Sequence, residues 1–192
     1  LAVGRLVERS GPGSYRLGLR LLELGNLVKS RLDVRDLAVK PMQELHKQTG
    51  HAVALFVRQD DDALCIERTV AERNGVQVTR VMGLRVPLTS SAVGKILLMN
   101  ESGSALHALA GAQNVRADAL QSEVSAIRQN QLAQDGEPHD PASQLTACPI
   151  FNDMGEVVAS LALNMPTARL TPEWTDSLKA AAQRISTQMG WQ

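Results

Sequence analysis

The feature that most constrains the fold is a change of hydrophobic period at Ala52. Before it, apolar residues fall at Leu17, Leu21, Leu24 and Val28, spacings of four, three and four that trace one narrow seam along a helix of the kind that pairs with another helix. A second helical stretch follows, with Asp33 as cap, Asp36 in the first turn, and Val34, Leu37, Ala38, Met42 and Leu45 in period until Thr49-Gly50. Pro41 inside it predicts a kink or a break. After Ala52 the period is two. Val53, Leu55 and Val57 alternate, Gln59 to Asp62 turns, and Leu64, Ile66, Val76 and Val78 continue, which predicts three antiparallel strands.

Downstream, Gly83 to Thr89 reads as a loop, Ser90 to Asn100 as a short helix and Ser104 to Ala110 as another. Leu120, Val124, Ile127 and Leu132 make an amphipathic helix that ends before Gln134-Asp135-Gly136-Glu137-Pro138, a breaker. Leu145 to Phe151 is a strand, Asn152 to Gly155 a hairpin turn, and Val157 to Leu163 the return strand. Thr171-Pro172-Glu173 starts a last helix that runs to Gly190. This order predicts an α+β domain on an antiparallel sheet. At the start, Leu1 to Gly18 reads as a fragment that holds a helix end and then a hairpin with Gly11-Pro12-Gly13 at its tip.

Composition excludes several classes. In 192 residues no apolar run approaches the roughly 20 needed to span a bilayer. Two cysteines, Cys65 and Cys148, without a secretory leader pattern predict a reducing compartment and a cytoplasmic chain. Net charge is zero, but residues 1 to 40 hold eight basic and four acidic side chains, so a polyanion contact belongs at the start. Five aromatic residues are too few and too scattered for base stacking on single-stranded nucleic acid.

Chemistry concentrates at Pro87-Leu88-Thr89-Ser90-Ser91-Ala92-Val93-Gly94-Lys95. A serine cap followed by small residues leaves backbone N–H groups approachable by an anion, and an ordinary capped helix without a ligand satisfies the same pattern. The stretch is not a phosphate loop, because Thr89 stands where that motif needs its first glycine and Ile96 follows the lysine. His46 and His51 are separated by a helix stop and lack a third ligand, so they predict no metal. Cys148 lies nine residues after His139 and makes a Cys-dependent enzyme or redox-sensing domain the alternative function; a strand thiol is equally a small hydrophobe. Asn164 at the end of its strand offers both a donor and an acceptor.

Three motifs together carry a family resemblance: Gly13-Ser14-Tyr15-Arg16-Leu17-Gly18, Pro87 to Lys95, and Ala147-Cys148-Pro149-Ile150-Phe151-Asn152. In order and spacing they resemble the isocitrate-lyase-regulator (IclR) family of bacterial transcription regulators. The resemblance implies a GAF-like (profilin-like) antiparallel sheet flanked by helices and preceded by a linker helix. It divides the chain into residues 1–16, the end of a winged helix-turn-helix domain with its wing; 17–31, the linker helix; and 32–192, the effector-binding domain. The recognition helix would lie outside this chain. The resemblance further implies no enzyme activity and no cofactor, a homodimer or tetramer, and a small-molecule carboxylate effector that modulates operator binding. Its pocket would be lined by Ser90, Ser91, Ala92, Val93, Cys148, Pro149, Ala162 and Asn164, with His139 or Asp140 near the acidic position. Family members that bind small acids place hydroxyls or thiols on those strands, whereas this chain has Pro149 and Ala162. The implied effector is therefore larger and less polar than glyoxylate or pyruvate, an aromatic acid being one such molecule.

Overall fold

A computed structural model describes residues 6–72, 75–79, 83–137, 140–166 and 172–191. The chain forms two compact units, residues 1–33 and 34–192. In the first, β1 (Val7–Gly11) and β2 (Ser14–Leu17) form an antiparallel hairpin closed at Gly13, whose φ of +78° suits a residue without a Cβ. The helix end expected before this hairpin lies in residues 1–5, outside the described residues.

Helix α1 covers Arg20–Thr49 with Pro41 inside it. The sequence divided this stretch at Asp33 and expected a kink or a break at Pro41; the chain breaks at neither and stays helical through both. Val34, Ala38, Met42 and Leu45 are all buried at helical spacing. Continuous packing of that face outweighs the roughly 3 kcal/mol an internal proline costs.

In the second unit the sheet order is β5-β4-β3-β9-β8-β7, with β6 paired on β4. The strands are β3 (Val53–Gln59), β4 (Asp62–Glu72), β5 (Gly75–Thr79), β6 (Arg85–Pro87), β7 (Ala133–Glu137), β8 (Asp140–Phe151) and β9 (Val157–Pro166). All pairings are antiparallel. Helices α2 (Ala92–Leu97), α3 (Gly103–Ala112), α4 (Ala117–Asn130) and α5 (Pro172–Gln188) complete an α+β architecture. Two stretches differ from the sequence reading: part of the Gly83–Thr89 loop is the short strand β6, and the expected breaker at Gln134–Pro138 is largely the edge strand β7. An edge strand tolerates glycine and a following proline because one side of its backbone needs no partner.

Each face of the sheet carries its own core. One holds Leu55, Cys148, Ile150, Leu161, Leu163 and Met165 with residues from α1 and α5. The other holds Phe56, Cys65, Ala133, Ala147 and Ala162 with residues from α2, α3 and α4. Period-two alternation sorts neighbours onto opposite faces, so Ala147 and Ala162 share one face while Cys148 and Leu161 share the other. Among the described residues no helix is long and apolar enough to cross a membrane.

Candidate functional site

Register places a row of small residues across the α2 face of the sheet. Ala133 pairs with Ala147, Ala147 with Ala162, Ala162 with Ala54, and Ala54 with Arg68. Four alanines therefore lie side by side on strands β7, β8, β9 and β3, and an arginine ends the row on β4. A second row sets Asp135 opposite Leu145 and Leu145 opposite Asn164. Ala133 and Ala147 pack into the core beneath the helices, whereas above Ala54 and Ala162 the small side chains leave space that larger aliphatic ones would fill.

The helix side is fixed by close approach. A Cβ on Gly94 would lie 2.4 Å from the Leu88 Cα and 2.5 Å from its carbonyl oxygen, so only glycine lets α2 meet the preceding loop. Ser91 caps α2: its Oγ accepts from the Gly94 amide at 3.1 Å and donates to the Pro87 carbonyl at 2.6 Å. Gln113 pins the same loop, accepting from the Thr89 hydroxyl and donating to the Asp61 carbonyl at 2.8 Å.

Between the alanine row and this loop lies a cavity of about 420 Å³, within the range of small-molecule sites. Its floor is Ala52, Ala54, Phe56, Leu145, Ala162 and Asn164; its roof runs from Leu84 to Pro87 and from Ser90 to Ala92; its charged groups are Arg68, Arg85 and Asp135. Arg85 faces Asp62 at 3.6 Å.

The lining includes Ser90, Ser91, Ala92, Ala162 and Asn164, five residues singled out from the sequence. Val93 is fully buried in the core beneath α2 rather than on the cavity wall. The structure does not bring Cys148 and Pro149 here: they border a separate hollow of about 390 Å³ with Gln131, Phe151, Lys179 and Gln183. For Cys148 the reason is strand parity, which turns its thiol toward the α1 and α5 core. His139 lies outside the described residues, as does the side chain of Asp140.

Sequence reasoning missed Arg68, Asp135 and Leu145. Arg68 reaches the cavity because a bulge at Ile66 shifts the β4 register, so that Phe56 pairs with Cys65 but Leu55 with Glu67. Without it, Arg68 would face α1. Glu67 takes that position instead, fully buried and ion-paired with Arg35 of α1.

Asp135 sits at the start of α2, where the sequence expected an external anion. Burial raises its pKa, while Lys95 at 3.6 Å and the Ala92 amide partly offset the effect. Its Oδ2 is buried without a hydrogen-bond partner among the described residues. Burial opposes the charge on Lys95, yet Glu123 at 2.8 Å and Asp135 together raise its pKa. Neither thiol is poised for nucleophilic chemistry, since burial pushes Cys65 up to about 11 and Cys148 up to about 12. Among the described residues no group of three or more His, Cys, Asp or Glu side chains could hold a metal ion.

A GAF-like α+β domain with a ligand-sized cavity between sheet and helix is the class this fold and site define. The family model described as bacterial transcriptional regulator IclR, C-terminal, matches residues 27–191, and the chain belongs to that family. It is 27% identical over 201 residues to the HTH-type transcriptional regulator XynR of Escherichia coli (strain K12), covering 98% of this chain and 79% of that one. The crystal structure of the C-terminal domain of the E. coli transcriptional regulator KdgR is similar with a TM-score of 0.69 and 25% identity, covering 83% of this chain and 99% of that one. An IclR homolog from Microbacterium hydrocarbonoxydans, complexed with 4-hydroxybenzoate, has the same fold with a TM-score of 0.70 and 20% identity over 98% of this chain and 81% of that one. Members of the family are transcriptional regulators, not enzymes.

Proposed function

We propose that residues 32–192 form the effector-sensing domain of a cytoplasmic bacterial regulator, that residues 17–31 are its linker helix, and that residues 1–16 end a winged helix-turn-helix domain. The effector is an organic acid held in the Ala54–Ala162 cavity, and its binding changes operator affinity in a homodimer or a tetramer. The observation that carries this reading is the cavity itself: about 420 Å³ above Ala54 and Ala162, with a few convergent polar groups.

Its size and lining favour a larger, less polar acid over a two- or three-carbon oxoacid. Ala52, Ala54, Phe56, Leu145, Val86 and Ala162 give it mainly apolar walls. A protein of the same fold takes 4-hydroxybenzoate, which supports an aromatic acid as one member of the class. The part of this expectation that rested on Pro149 is withdrawn, because Pro149 borders the other hollow. The part that rests on Ala162 stands.

A ligand regulates only through unequal affinity for two arrangements of the protein. Calorimetry with a panel of carboxylates should find binding to the wild-type chain by aromatic or longer acids and none to Ala162→Phe, whose ring occupies the cavity while circular dichroism stays native. Binding by two- or three-carbon oxoacids alone, or equal binding to the filled variant, would overturn the assignment.

A further inference from the structure

We propose that Arg68 receives the effector's carboxylate. This rests on the effector reading above and makes one residue its specificity determinant. At the turn before α2, Ser91 Oγ accepts from the Gly94 amide, so that donor is already used within the chain.

Arg68 is the complementary case. The bulge at Ile66 turns it to the cavity face, and it makes no salt bridge to another described residue, whereas Arg85 has Asp62. It is exposed, so its guanidinium keeps its hydration until a ligand arrives. A planar guanidinium can grip a carboxylate with two parallel hydrogen bonds.

The sheet order adds a length requirement. From β4, which carries Arg68, to β7, which carries Asp135, there are four inter-strand spacings of ~4.8 Å. Both side chains point into one hollow from its two ends. A molecule that meets both is elongated, with an acid at the β4 end and an uncharged or hydrogen-donating group at the β7 end. A second carboxylate at the β7 end is disfavoured by Asp135.

The test measures affinities of the wild-type chain, Arg68→Gln and Arg68→Lys for 3-phenylpropanoate, 3-(4-hydroxyphenyl)propanoate and 4-phenylbutanoate, each beside its primary amide, with Ala162→Phe in parallel. At least one acid should bind wild type at least tenfold more tightly than its amide. Arg68→Gln should weaken that acid about ten- to a hundredfold, bringing it close to the amide. Arg68→Lys, which keeps the charge but loses the fork, should fall between. Unchanged melting of the ligand-free variants excludes a folding defect. An acid that binds wild type and Arg68→Gln within threefold overturns this inference while leaving the cavity assignment in place. Binding that survives Ala162→Phe, or no binding by any acid, overturns both.

Discussion

At the scale of single residues, Asp135 links the cavity to pH. Burial holds its pKa above the ordinary aspartate value even though Lys95 and the Ala92 amide favour its charge. Just above the ordinary aspartate range the native state therefore binds more protons than the unfolded chain. Its contribution to stability is complete below about pH 3.9 and is lost as pH rises through the folded pKa. Asp135→Asn removes that loss. Urea midpoints for the variant should decline less than those of wild type between about pH 4 and about pH 7; parallel profiles would show that Asp135 ionises without cost.

The same residues show how much of the site is legible in the sequence. Ser90, Ser91, Ala92, Ala162 and Asn164 are found by motif position, and all five line the cavity. Cys148 fails for a physical reason: in a strand, neighbours one apart face opposite ways, and a motif gives position without parity. Arg68 is hidden by one inserted residue, since the Ile66 bulge inverts the alternation that the Leu64–Ile66 pattern establishes. Asp135 is hidden because Gly136 and Pro138 read as loop residues, although the edge strand β7 runs through Gly136 to Glu137.

At the scale of elements, the sheet and its helices follow from periodicity almost throughout, because strand residues alternate between two packed faces and most helices have one apolar face. The exceptions are elements whose limits are set by tertiary contacts. Helix α1 continues through Asp33 and Pro41, and β6 is only three residues long on the side of β4. Helix α2 is six residues long and depends on Gly94 for its approach to Leu88. Gly94→Ala places a methyl group against backbone atoms that cannot step aside. It should cost about 3 kcal/mol in denaturant unfolding and should reduce ligand binding by lifting the loop that roofs the cavity. A variant with unchanged midpoint and affinity would contradict this packing account.

At the scale of the whole molecule, the chain divides between residues 33 and 34 into a small unit and a large one. In the small unit Tyr15, Leu17, Leu19, Leu21 and Leu24 are exposed; Leu21 and Leu24 lie on α1, whereas Leu17, which the sequence placed at the head of the helical seam, is the last residue of β2 because the hairpin claims it first. A seam of this kind suits pairing with the same helix of a second copy. Sedimentation should find the chain at twice its monomer mass, and Leu24→Glu should shift it toward monomer. A wild-type chain that sediments as a monomer at all accessible concentrations would remove the dimer from the account.

The central claim is that a metabolite's acid is held above the alanine row. Amide chemical-shift mapping of the isotope-labelled chain, titrated with the tightest acid from the carboxylate panel, tests it most directly. The largest shifts should cluster at Ala54, Arg68, Ser91, Ala162 and Asn164. Shifts centred on Gln131, Cys148 and Lys179 would put the ligand in the other hollow and contradict the account.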